Sequence, residues 1–189
     1  MSSAYTVIWN GDRVKIARRH GLVGKGIEFL FGGPHTSQPS FTRAGVTAGD
    51  VVYPISVRDG RVHILARVVT RQVVTVEDFI AAHPGLYPSE QHGQWPSQTL
   101  ESGIGLNPWL RALNWTCSDH VLLTERSTPL NPETVLPPGM LTRLTYRSRK
   151  AERPVRGIVD GRLTTLVSLQ GVYKLSLSSA SDFDSLFPP

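Results

Sequence analysis

At 189 residues, with 40% hydrophobic and 19% charged side chains, the chain reads as one folded domain spanning 1–189 and not as a disordered segment. Its apolar runs are only a few residues long, which excludes a membrane-spanning helix, and the single Cys117 excludes an internal disulfide and a cysteine-based zinc cluster. A net charge of +5, with sixteen arginines among 20 basic residues, suits phosphate and carboxylate partners, because the planar guanidinium donates two hydrogen bonds at once.

The opening, MSSAYTVIWNGD, has no basic stretch followed by a long apolar one, so no secretory leader is read there and a cytoplasmic location is expected. Tyr5 to Trp9 alternates and is rich in β-formers, which predicts a first strand. Asp12 is then expected to cap a helix through His20, with Val14, Ile16 and Ala17 on its apolar side and Arg13, Arg18 and Arg19 outside. GLVGKGIEFLFGG, residues 21–33, is ambiguous between turn, helix and strand, and GPHTSQPSFTR, residues 33–43, has turn composition.

Asp50 to Val57 and Val62 to Val69 read as two strands joined by Arg58-Asp59-Gly60-Arg61. Asp-Gly between β runs is a strong hairpin signal, since both central positions need positive φ. Pro54 lacks an amide donor, which predicts an edge or bulged strand. Thr75 is expected to cap a helix over Val76 to His83. Residues 85–107 give no assignment, Pro108 to Asn114 suggests a helical turn, and Asp119 to Thr124 a strand. Pro137-Pro138-Gly139 is a break, and Met140 to Tyr146 continues as helix or strand. A second hairpin turns at Asp160-Gly161, Gly171 to Leu177 forms a last strand, and Ser181 to Phe187 a closing helical turn. Together these elements predict an α+β fold: a small mixed β-barrel with two or three peripheral helices and an elaborated C-terminal half.

The segment Phe41 to Val69 resembles the core of the PUA-like superfamily, which includes the PUA, ASCH, EVE and YTH domains. The likeness lies in RAGVTAGD running straight into VVYPI, in the return strand VHILARVV, and in the upstream YTVIWN and GDRVKIARR, and it covers roughly the first 80 residues. It implies a barrel completed by the later strands and, by analogy with EVE and YTH domains, a pocket for a flipped or modified base. ASCH domains carry Gly-x-Lys-x-x-Glu-x-Arg before the Gly-Asp turn. Gly24-Lys25 and Glu28 nearly suit its opening, Phe29-Leu30 stands where the arginine should be, and Arg43 comes later.

Other motifs fail on inspection. A Walker loop would need glycine where Arg19 stands and Ser or Thr where Gly26 stands. The six histidines, at 20, 35, 63, 83, 92 and 120, show no close metal-ligand spacing, and His63 and His120 read as structural residues in strands. Cys117 sits near Asp119 and His120, but nothing else supports a nucleophile there. Trp9 ends the first strand, Trp109 and Trp115 read as core residues, and Trp95, inside HGQWPSQ, has the strongest claim on a ligand.

The sequence therefore predicts a nucleic-acid-binding module, a reader of a modified or flipped base in RNA or DNA, with no cofactor, no metal and no membrane partner. The base pocket would be formed by Trp9, Ser37, Gln38, Ser40, Phe41, Tyr53 and Trp95. Arg18, Arg19, Lys25, Arg43, Arg147, Arg149 and Lys150 would hold phosphates, within a basic tract running from Arg143 to Arg156. One alternative is an ASCH-type hydrolase of RNA or modified nucleosides working through Lys25, Glu28 and Arg43. The other is a protein-interaction domain whose basic surface meets an acidic partner.

Overall fold

The computed structural model describes residues 2–33, 39–85, 118–148 and 150–187. The first strand, β1 (Ala4–Ile8), alternates as expected, sending Tyr5 and Val7 to one face and Ala4 and Ile8 to the other. Helix α1 (Gly11–Arg19) follows, capped by Asn10 and not by Asp12: the Asn10 side chain accepts from the Arg13 amide at 2.8 Å. Asp12 lies in the first turn, where a negative charge complements the helix dipole. The ambiguous glycine-rich stretch becomes β2 (Phe29–Gly32), buried on both faces, which is why it shows no alternation. Ser40 caps a single turn, α2 (Phe41–Ala44).

Asp50 closes the approach to β3 (Val51–Arg58). Its carboxylate accepts from the Ser3 amide at 2.7 Å, the Thr47 amide at 2.9 Å and the Thr47 hydroxyl at 3.1 Å, tying the start of β1 to the turn. Gly49, at φ 82, supplies the left-handed step that brings the carboxylate round. The first hairpin forms as expected, with Asp59 at φ 53 and Gly60 at φ 72, but its return strand is split. β4 (Arg61–Ile64) pairs with the end of β3, and β5 (Val68–Thr75) pairs with its beginning. Pro54 lies neither at an edge nor at a bulge. β3 is internal, and the missing amide falls where its neighbour changes from β5 to β4, the Pro54 carbonyl still accepting from Leu65 at 2.8 Å.

Thr75 caps α3 (Val76–Ala81) as expected, and β6 (His120–Ser127) pairs with β5 and β2. The Pro137-Pro138-Gly139 break starts α4 (Pro138–Thr142), since proline suits a first helical turn. β7 (Thr145–Arg147) pairs with β8 (Glu152–Pro154), and β9 (Ile158–Val159) with β10 (Arg162–Leu163). After a 3₁₀ turn at Val167–Leu169 come β11 (Val172–Lys174) and α5 (Leu177–Asp184), which begins earlier than expected because Ser176 caps it.

The result is an α+β fold with one large mixed sheet in the order β11-β1-β3-β5-β6-β2, β1 and β3 running parallel. Five short helices flank it among the described residues. The expected barrel does not close. Its edges, β11 and β2, are three and four residues long. Helix α2 packs against β11 and buries Phe41 beside Leu30 and Phe31 of β2, so a helix stands between the edges. Nor do the C-terminal strands complete a barrel: among the described residues only β11 joins the main sheet, while β7–β8 and β9–β10 are separate ribbons.

Two cores result. The first, under α1, α2 and α3, contains Trp9, Phe29, Phe31, Phe41, Val52 and Phe79. The second, on the other face of β1 and β3, contains Tyr53, Ile55, Leu141, Tyr146, Leu169 and Phe183. No helix among the described residues is long and apolar enough to cross a membrane. Among those residues no three His, Cys, Asp or Glu side chains gather as metal ligands would.

Candidate functional site

The curled sheet brings β2 across the first core from β1, and at that side Val7, Trp9, Arg13, Leu30, Phe31, Pro39 and Phe41 line a cleft. The Asn10 cap fixes how α1 leaves β1 and turns Arg13 back over Trp9, its guanidinium carbon 5.7 Å from the ring centroid. Arg13 was expected outside the helix, yet it is only 9% exposed. Its aliphatic stem covers apolar surface while its head lies over an aromatic face. No hydrogen bond or carboxylate among the described residues answers the guanidinium. Burial lowers its pKa to about 10, so it stays charged at neutral pH. A guanidinium over a π face keeps its N–H donors to offer to an incoming acceptor.

The opposite wall is held just as firmly. The Phe41 amide donates to His120 Nε2 at 3.1 Å, and the two rings meet edge to face with centroids 5.9 Å apart. Because Nε2 accepts, the ring proton is on Nδ1, which donates to the Asp119 carboxylate. The Gly33 amide donates to the carbonyl of Pro39, a lining residue of the cleft, at 3.1 Å. The cleft is closed, with no room for a water molecule between its walls.

Of the expected base-binding residues, Trp9 and Phe41 therefore meet. Ser40 neighbours them, but its hydroxyl caps α2 by accepting from the Arg43 amide at 3.4 Å. Tyr53 lies in the second core across the sheet, its hydroxyl donating to Asp184 at 2.5 Å, with Arg67 on the same carboxylate at 2.7 Å. Burial, then the Asp184 hydrogen bond, raises its pKa, so the phenol stays neutral. It does not join the cleft. Ser37, Gln38 and Trp95 lie outside the described residues.

The basic residues divide. Arg18 is taken up by Glu133, which also binds Arg58 at 3.1 Å. Arg143 is bidentate to Asp182, with both distances 2.7 Å, and holds α4 to α5. Arg147 stands directly opposite Glu152 in the β7–β8 ribbon. Arg19, Lys25, Arg43 and Lys150 are exposed, with no ion pair among the described residues, and Arg149 lies outside those residues. Lys25 and Glu28 precede β2 whereas Arg43 follows it, and no hydrogen bond or ion pair joins any two of the three.

Sequence reasoning missed Arg13 and His120. The charge of Arg13 argues for the outside of the helix, but its spacing of four from Ala17 puts it on the buried side. His120 is structural, as expected, and its contacts with Asp119 and the Phe41 amide are what place it in the cleft wall.

No family model matches the chain, and no curated protein matches it. Among solved structures, an ASCH protein from Zymomonas mobilis aligns over 97% of this chain and 95% of its own, at 10% identity and a TM-score of 0.43. A hypothetical protein from Leishmania major aligns over 98% and 94%, at 14% identity and a TM-score of 0.42. A point mutant of the Zymomonas mobilis protein aligns over 97% and 98%, at 9% identity and a TM-score of 0.34. The chain is similar to these ASCH structures over nearly its whole length, at low identity and low TM-score.

Proposed function

We propose that this protein binds nucleic acid and reads a flipped or modified base at the Trp9–Arg13–Phe41 cleft. The observation that carries the reading is Arg13: a buried cation over Trp9 with no acceptor of its own among the described residues. A guanidinium reads a base through its acceptor edge, and an aromatic wall stacks it. Extruding a base costs a few kcal/mol, and stacking plus a charge-assisted hydrogen bond is of the size needed to offset that. Arg19, Lys25, Arg43, Arg147 and Lys150 supply sequence-independent phosphate contacts in this reading, with Arg149, Ser37, Gln38 and Trp95 as further proposed contributors.

The test is titration of labelled single- and double-stranded RNA and DNA, with and without modified bases, at two salt concentrations. Arg13→Gln should weaken binding of the preferred base about tenfold or more while leaving the salt dependence unchanged. Lys150→Ala should weaken all sequences alike and lower the salt slope by about 1. Absence of binding, or an Arg13→Gln protein that binds like the parent while remaining folded by circular dichroism, would refute the reading.

A further inference from the structure

A separate cavity of about 310 Å³ lies between α1 and the β3–β4 hairpin. That volume is at the lower end of the range for small-ligand sites, about 300–1,000 Å³, which are mostly apolar with a few placed polar groups. Val14 and Pro132 give apolar walls here, while Lys15, Arg18 and Arg58 give the charge. His63 lines the cavity, is 2% exposed, and has an Nδ1 with no hydrogen-bond partner. Burial, then the charge of Arg58, lowers its pKa and leaves the imidazole neutral at neutral pH. A buried, perturbed histidine in a cavity wall is a mark of a functional site.

The arginines come from different elements, α1 and β3, and converge on one exposed carboxylate, Glu133. The Glu133 amide donates to Asn131 Oδ1 at 3.0 Å, which holds the loop in place. Arg58 first and then Arg18 keep the carboxyl below its usual range, so it is ionised and occupies the position where a ligand anion would sit. Exposed ion pairs of this kind are weak, and a phosphate offering more acceptors competes with one. A cavity of this volume, with apolar walls and two arginines at its rim, has the chemistry for an apolar ring joined to a phosphate.

We propose that this cavity binds a nucleoside monophosphate, its base between Val14 and Pro132 and its phosphate on Arg18 and Arg58 in place of Glu133. The site is distinct from the Trp9–Arg13–Phe41 cleft and does not depend on it. The ligand's source is either a free mononucleotide or the phosphorylated end of a strand.

Calorimetric titration with adenosine, guanosine, cytidine and uridine 5′-monophosphates tests it, with the unphosphorylated nucleosides and inorganic phosphate as controls. At least one nucleotide should bind more tightly than both its nucleoside and phosphate. Arg58→Ala should weaken that binding about tenfold. Glu133→Gln, which frees both arginines, should tighten it about two- to fivefold. Both side chains are half-exposed or more, so the unfolding midpoint should move little. A 5′-phosphorylated tetranucleotide that binds more tightly than the mononucleotide identifies a strand end, and one that binds no better identifies the free nucleotide; either supports the site. The proposal fails if nucleotides bind no better than inorganic phosphate or if Glu133→Gln weakens binding. It also fails if Arg13→Gln abolishes nucleotide binding while Arg58→Ala does not, which would place the ligand in the cleft.

Discussion

Asp50 does by itself what a longer stretch of backbone pairing would otherwise do, gathering three donors from two segments onto one buried carboxylate. Asp50→Ala leaves those donors unanswered and should destabilise the protein by about 2–4 kcal/mol, read from the shift in urea midpoint at constant slope. His63 gives a pH signature. Its pKa in the folded state lies below the unfolded value of 6.5, so unfolding takes up a proton. The stability tied to the neutral ring is complete above that unfolded pKa and is lost as pH falls towards and through the folded one. The urea midpoint should therefore fall between pH 7.5 and 5.5, and His63→Gln should fall less over the same interval. Equal slopes would show that His63 does not titrate differently in the two states. The charge of Arg13 argues for exposure, while its spacing of four from Ala17 argues for the buried side, and the Asn10 cap and the Trp9 ring show why the spacing wins.

Among the elements, the two Asp-Gly turns were readable because the chemistry is local: Asp59-Gly60 and Asp160-Gly161 all take positive φ. What they join was not. The turns dock on each other, Leu163 donating to the Gly60 carbonyl at 2.8 Å, a contact between residues distant in sequence. β2 was ambiguous for a related reason, since a strand buried on both faces shows no period. Its last residue shows how closely the cleft wall is packed. A side chain at Gly32 would meet the His120 ring and come within 2.6 Å of the Pro39 carbonyl. Gly32→Ala should cost roughly 1–3 kcal/mol and, by displacing His120 from the Phe41 amide, loosen the wall of the cleft. Faster hydrogen exchange at Phe41 in that variant, relative to the β3–β4 hairpin, would report it, and unchanged exchange would count against the coupling.

For the whole molecule, β1 and β3 carry both cores, one on each face, so neither core persists when those strands separate. We propose that the chain unfolds as one domain, with Trp fluorescence and far-ultraviolet circular dichroism giving coincident urea transitions; two separated midpoints would contradict this. The net charge of +5 draws polyanions without choosing among them, so a choice has to come from a site. The most direct measurement is a ¹⁵N-resolved titration of the wild-type protein with its preferred oligonucleotide at a salt concentration high enough to weaken phosphate contacts. Binding at the cleft predicts the largest shifts at the Trp9 indole and at the Arg13 and Phe41 amides. Shifts confined to exposed arginines and to the β7–β8 ribbon, disappearing as salt is raised, would contradict it.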